Sequence, residues 1–186
     1  MRQKSRGSAA RPALGRDASG TGRERPAPDP GTAYVTGLRL LSARELSEAQ
    51  LRTRLARRGY PDEAIDDAVT RLRESRALDD RRVAEAAARL ESTGRLRGRG
   101  RVLQKLRSLG LDRETADAAV KAVFEEVDEQ ALLDRAIARR LRGRDAAGLD
   151  RPAAMKIAAA LARQGFAPGA VLSRLKALGS RSADEE

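Results

Sequence analysis

The residues of this sequence best suited to chemistry lie between Arg89 and Arg107. Seven of these 19 residues are basic (Arg89, Arg95, Arg97, Arg99, Arg101, Lys105 and Arg107), and the only acid is Glu91, so the local balance is +6. A guanidinium presents a planar fork of donors that matches phosphate and carboxylate oxygens. Within the run, Gly94-Arg95-Leu96-Arg97-Gly98-Arg99-Gly100-Arg101 joins two helical patterns, so glycine-rich backbone carries four of the arginines. Free N–H groups at the start of the following helix would add to an anion site there. The competing reading is a solvated, Arg-rich linker. A nucleotide-binding P-loop is excluded, because the Lys-Ser/Thr pair of that motif is missing. Two smaller clusters hold Arg135, Arg139, Arg140, Arg142 and Arg144, and Arg52, Arg54, Arg57 and Arg58.

Acids gather on other segments: Asp62, Glu63, Asp66 and Asp67, then Asp112, Glu114, Asp117, Glu125 and Glu126. General acid–base work needs two carboxylates converging on one pocket. The neighbouring pairs Asp66-Asp67 and Asp79-Asp80 diverge on a helix instead, and Asp79 or Asp80 suits a helix N-cap. The chain has 186 residues, 38 Lys+Arg against 27 Asp+Glu, a formal charge of +11, and no His or Cys. No thiolate nucleophile, disulfide, zinc finger or His-based triad is therefore available. No cofactor, no metal and no catalysis are expected. The excess positive charge points to an acidic partner, most simply nucleic acid. Of the four aromatics, Tyr60, Phe124 and Phe166 fall at core spacings and Tyr34 at the edge of a tail, so a base-stacking platform is not expected. Contact with DNA should go to phosphates, depend on salt and read little sequence.

No apolar run approaches the roughly 18 residues of a membrane span. The N-terminus is basic without an apolar stretch behind it, which argues against a secretory signal and for the cytoplasm.

The elements that carry these residues repeat. Gly59, Gly110 and Gly165 each follow a Leu by four residues (Leu55, Leu106, Leu161) and an apolar residue by eight (Leu51, Val102, Ile157). Each precedes a large apolar residue (Tyr60, Leu111, Phe166). This spacing predicts helix, glycine turn, helix, with the glycine ending the first helix in the left-handed conformation. One further helix precedes each pair: Leu38 to Leu46, with Leu38 and Leu41 inward; Arg81 to Thr93, with Val83, Ala86, Ala87 and Leu90 on one face; and Glu125 to Leu141. The expected fold is all-α, three tandem three-helix repeats (34–77, 78–124 and 125–179) forming an elongated, curved array. Residues 1–33 are rich in Gly, Pro, Ser and Thr and predict a disordered basic tail, and 180–186 a short acidic one.

Several segments resemble the RecX family of bacterial regulatory proteins. They are Ala43-Arg44-Glu45-Leu46-Ser47-Glu48-Ala49-Gln50-Leu51-Arg52-Thr53-Arg54-Leu55, Leu78-Asp79-Asp80-Arg81-Arg82-Val83-Ala84, the basic Arg97 to Leu106 ending at Gly110-Leu111, and Ala162-Arg163-Gln164-Gly165-Phe166. The family often has an aromatic where this chain has Val83, and Gly-Pro where it has Gly98-Arg99-Gly100. The resemblance covers about residues 36–179. It implies three three-helix repeats that bind the RecA recombinase filament on single-stranded DNA, lie along its groove, and inhibit ATP hydrolysis and strand exchange. On that basis Arg95, Arg97, Arg99, Arg101, Lys105 and Arg107 are expected to meet RecA or DNA phosphates, with Arg139 and Arg140 as a second contact and the protein acting as a monomer. Two rivals remain: a non-specific DNA-binding helical protein, and a helical-repeat scaffold without a nucleic-acid role.

Overall fold

A computed structural model describes residues 28–184, and among them it contains nine α-helices and no strand. They are α1 (Ala33–Ala43), α2 (Glu48–Ala56), α3 (Asp62–Glu74), α4 (Asp80–Arg89), α5 (Arg99–Ser108), α6 (Arg113–Glu126), α7 (Glu129–Leu141), α8 (Arg151–Ala162) and α9 (Pro168–Asp184). Side-chain capping sets most of their starts. Ser47 accepts the Gln50 N–H while the Gln50 side chain accepts the Ser47 N–H, a reciprocal box that opens α2. Asp79, Asp112, Asp128 and Asp150 cap α4, α6, α7 and α8. Each such cap contributes about 1 kcal/mol.

The helices pack in threes: α1 with α2 and α3, α4 with α5 and α6, α7 with α8 and α9. The repeating apolar positions are the core. Leu51, Leu55, Val102, Leu106 and Leu161 are fully buried, and Ile157 nearly so. The first unit has its own core around Leu46, Leu55, Ile65 and Leu72, whereas the second and third share a continuous one through Val123, Leu132, Ile137 and Val171. At the chain's start the Tyr60 hydroxyl sits between the hydroxyls of Thr32 (2.9 Å) and Thr36 (2.8 Å).

The units meet through one recurring contact. The residue twelve before the first two turn glycines is the N-cap of the second helix in its unit: Ser47 before Gly59, Gly98 before Gly110. The Ser47 hydroxyl donates to the Leu109 carbonyl, and the Gly98 N–H donates to the Gln164 carbonyl at 2.9 Å. Leu109 and Gln164 each immediately precede the turn glycine of the next unit. The turn presses against a small residue two positions past the cap, Ala49 beneath Gly110 and Gly100 beneath Gly165. In the third unit the same register holds Met155, which is exposed, and α8 begins one turn earlier than its counterparts. At the other end, Pro28 lies over the Gly59 turn.

Beside the first junction, Asp80 accepts the Glu48 N–H at 2.8 Å. Burial pushes the Asp80 carboxyl up from its ordinary value, and the Glu48 and Asp112 carboxylates add to this, while the N–H it accepts and Arg73 oppose it. The folded chain thus holds this proton more tightly than the unfolded chain does. The group's contribution to stability falls as pH rises from the ordinary carboxylate range through the raised folded value. Asp80→Asn keeps an oxygen for the Glu48 N–H and removes the buried charge. Its melting temperature relative to wild type should climb as pH rises above the ordinary carboxylate range, about pH 4. A pH-independent difference would contradict the raised carboxyl.

Four element expectations need correction. The body begins at Ala33, which is buried, behind a 3-10 turn at Pro30–Thr32, so residues 28–33 are not tail. Residues 1–27 of the expected tail lie outside the described residues. On α4 the buried residues are Val83, Ala84 and Ala88, and the chain continues into a π-turn at Leu90–Gly94 that turns Glu91 and Ser92 inward and leaves Leu90 exposed. Small alanines let α4 approach α6, a demand that hydrophobicity alone does not reveal. The break expected before Glu125 falls at Val127–Asp128, where Asp128 supplies the cap of α7. Finally, α9 runs through Ser180 to Asp184, where a tail was expected.

Candidate anion-binding basin

The eight residues singled out from sequence do not form one surface. Arg95, Arg97, Arg139 and Arg140 come together around a basin of about 850 Å3 between the second and third units. Arg99, Arg101, Lys105 and Arg107 do not line it. Arg99 pairs with Glu129 at 2.9 Å and lies over the Phe124 ring, 4.8 Å from its centroid. Arg101 donates to the Gln104 side chain at 2.6 Å in an adjoining shallow groove, which shares Arg163 with the basin. Arg107 faces Asp117 at 3.9 Å, and Lys105 is half-buried along α5. The glycines of the basic segment have a different role from the flexible anion loop suggested by the sequence. Gly98 is a packing residue, since a Cβ there would lie 2.8 Å from the Phe166 nitrogen and closer still to the Gly165 carbonyl.

The structure adds four cations to the basin. Arg142 and Arg144 come from the α7–α8 loop, Lys156 from α8 and Arg163 from the C-cap of α8. Arg142 and Arg144 belong to the second basic cluster of the sequence. Lys156 and Arg163 stand alone along the chain and become legible only through the pairing of α7 with α8. Eight basic side chains line the basin, with no acid among the lining residues. Arg95 is tied to the buried carboxylate of Glu91 at 2.6 Å. The other seven have no ion-pair partner among the described residues, although Arg52, Arg71, Arg73, Arg82, Arg89, Arg99, Arg107, Arg113 and Arg174 elsewhere all do. The Arg97 Nε is buried without a hydrogen-bond partner. Converging cations repel one another unless an anion lies among them, so the chemistry of the lining suits phosphate or carboxylate oxygens. Its floor is apolar, with Leu96, Ala136 and Ile157.

The aromatic expectation agrees with this picture. Tyr60, Phe124 and Phe166 are buried, and Arg71 covers the Tyr34 ring at 4.2 Å from its centroid. No cluster of three or more His, Cys, Asp or Glu side chains capable of holding a metal occurs among the described residues, and no described helix is long and apolar enough to cross a membrane.

One basin residue is strained. Arg142 ends α7 in the left-handed conformation (φ 53°, ψ 42°). An L side chain there costs about 1 kcal/mol relative to glycine. Arg142→Gly should therefore raise the melting temperature by about 2–4 °C while removing a basin cation. A lowered melting temperature in a calorimetric scan would show that the Arg142 side chain contributes more than its backbone costs.

The RecX first three-helix domain model matches residues 33–72. The regulatory protein RecX of Syntrophotalea carbinolica is 34% identical over 136 residues, which span 73% of this chain and 88% of that protein. This chain belongs to the RecX family. The RecX of Thermobifida fusca is 33% identical over 162 residues, covering 86% of this chain and 85% of its relative. A crystal structure of regulatory protein RecX superposes with a TM-score of 0.65 at 26% identity, over 79% of this chain and 71% of that one. The all-helical architecture is thus that of the RecX family, whose members are named as regulatory proteins. The basin lies outside the segment matched by the first-domain model, on the second and third units.

Proposed function

We propose that this RecX-family chain regulates the RecA recombinase without catalysis of its own. It binds RecA filaments on DNA in the cytoplasm and inhibits their ATP hydrolysis and strand exchange. The observation that carries the reading is the concave basin between the second and third units, lined by eight basic side chains and no acid, of which only Arg95 has an ion-pair partner among the described residues. A nucleoprotein filament offers both phosphates and acidic protein side chains, and forked guanidinium groups serve either. Arg97, Arg139 and Arg140 form the principal contact, with Lys156 and Arg163 beside them. Arg99, Arg101, Lys105 and Arg107 contribute at most to the surrounding field.

The test is the single-strand-dependent ATPase rate of the cognate RecA, titrated with this protein. Inhibition well below one molecule per RecA is the expected result. No effect at excess protein, in salt low enough to preserve electrostatic contacts, would overturn the reading. Tight DNA binding without inhibition would favour an independent DNA-binding role.

A further inference from the structure

We propose that the basin is also a binding site for a compact polyphosphate anion of the nucleoside-triphosphate class, and that such a ligand competes there with nucleic acid. The first half stands on the basin alone. The competition rests on the reading above, that the same cations meet the filament.

The shape favours a short anion over an extended one. The lining cations approach from four segments: Arg95 and Arg97 from the loop after α4, Arg139 and Arg140 from the end of α7, Arg142 and Arg144 from the loop beyond it, and Lys156 and Arg163 from α8 and its C-cap. They surround a hollow, so a ligand with several charges on adjacent atoms meets more of them at once than a strand crossing the rim does. The hollow of about 850 Å3 falls within the roughly 300–1,000 Å3 of small-molecule sites. The buried Arg97 Nε has no acceptor from the protein, and a buried donor without a partner marks a place where an outside acceptor belongs. The apolar floor of Leu96, Ala136 and Ile157 gives the organic part of a nucleotide a surface without reading its base.

The lining also predicts the selectivity. Recognition by side-chain charge ranks ligands by their phosphate count, so tripolyphosphate should match ATP and AMP should bind weakly. No carboxylate lines the basin to hold a divalent cation. Magnesium should therefore weaken ATP binding by neutralising the phosphates, the reverse of its effect at a P-loop.

Isothermal titration of the full chain with sodium tripolyphosphate, ATP and AMP tests this at about 150 mM salt. The expected result is one site per chain, with AMP at least about tenfold weaker than ATP. Arg139→Gln with Arg140→Gln should weaken tripolyphosphate binding by about tenfold or more, while Arg54→Gln with Arg57→Gln, in a different basic cluster, should leave it within about twofold. Circular dichroism of both variants separates lost binding from lost folding. A labelled single-stranded oligonucleotide on the chain alone, without RecA, distinguishes the two sources of phosphate: its displacement by tripolyphosphate is the expected result.

Absence of saturable binding, equal losses in the two double variants, or tighter binding with magnesium would each overturn the site. Co-binding of oligonucleotide and tripolyphosphate would overturn the competition. Because RecA is absent from these measurements, failure of the filament reading leaves the polyphosphate site standing, and the converse also holds.

Discussion

Reversing charge at Arg139 and Arg140 is expected to weaken filament regulation by roughly a hundredfold, two charge-assisted contacts at about 1.4 kcal/mol each. Both side chains are exposed on the last turn of α7 and have no ion-pair partner among the described residues, so their loss breaks no internal contact. The salt dependence should change with the affinity. If phosphates are the partner, the slope of log affinity against log salt should become shallower by about two. The matching control is Arg99→Glu with Arg101→Glu. Arg99 already spends its charge on Glu129, and Arg101 lies in another groove, so the effect on regulation should be much smaller. Placing a new carboxylate opposite Glu129 should cost some stability, which circular dichroism would register. Inhibition curves of RecA ATPase for both variants decide the matter. Equal losses would mean that general positive charge acts, rather than the basin.

The second large effect concerns stability. Gly98→Ala should destabilise the chain by about 3 kcal/mol, which lowers the melting temperature by roughly 6–12 °C at this size. The added methyl would press on backbone, the Gly165 carbonyl and the Phe166 nitrogen, which cannot swing aside as a side chain can. Gly165→Ala should be at least as harmful. Gly165 has φ +92°, and a Cβ there would lie 2.7 Å from the Arg101 Cβ and 2.8 Å from the Gly98 carbonyl. Gly169→Ala, where nothing lies within 4 Å, is the control and should be close to neutral. Thermal melts of the three variants measure the difference. An unchanged melting temperature for Gly98→Ala would mean that the second and third units do not depend on this close approach.

The helices were legible because their signals are local. Spacings of four and eight residues before each glycine marked Leu51, Leu55, Val102, Leu106, Ile157 and Leu161 as core, and the cap at Asp79 or Asp80 could be read directly, Asp79 being the one that caps α4. The candidate site was legible only in part, because charge clustered along the chain is not charge clustered in space. Arg97 lies in the loop before α5 and Arg101 on the first turn of that helix, so the two reach different hollows. Arg99 and Arg107 are neutralised by Glu129 on α7 and Asp117 on α6, partners that only the fold brings near. Lys156 carried no signal in the sequence and Arg163 stood only in the turn segment Ala162-Arg163-Gln164-Gly165-Phe166; each becomes part of the basin only when α8 lies beside α7. Gly98 read as part of a glycine-rich anion-binding segment and is a packing contact, because the partner that requires its small size lies 67 positions later, at Gly165.

Met155 sets the third unit apart from the first two. At the register where Ala49 and Gly100 lie beneath the turn of a following unit, it places a long, exposed side chain. A turn seated there as Gly110 seats on Ala49 would meet that side chain. The joint between units is thus written in the size of one residue rather than in a stretch of sequence. Adding a fourth unit by design would call for a small residue at 155 before any added helices could seat.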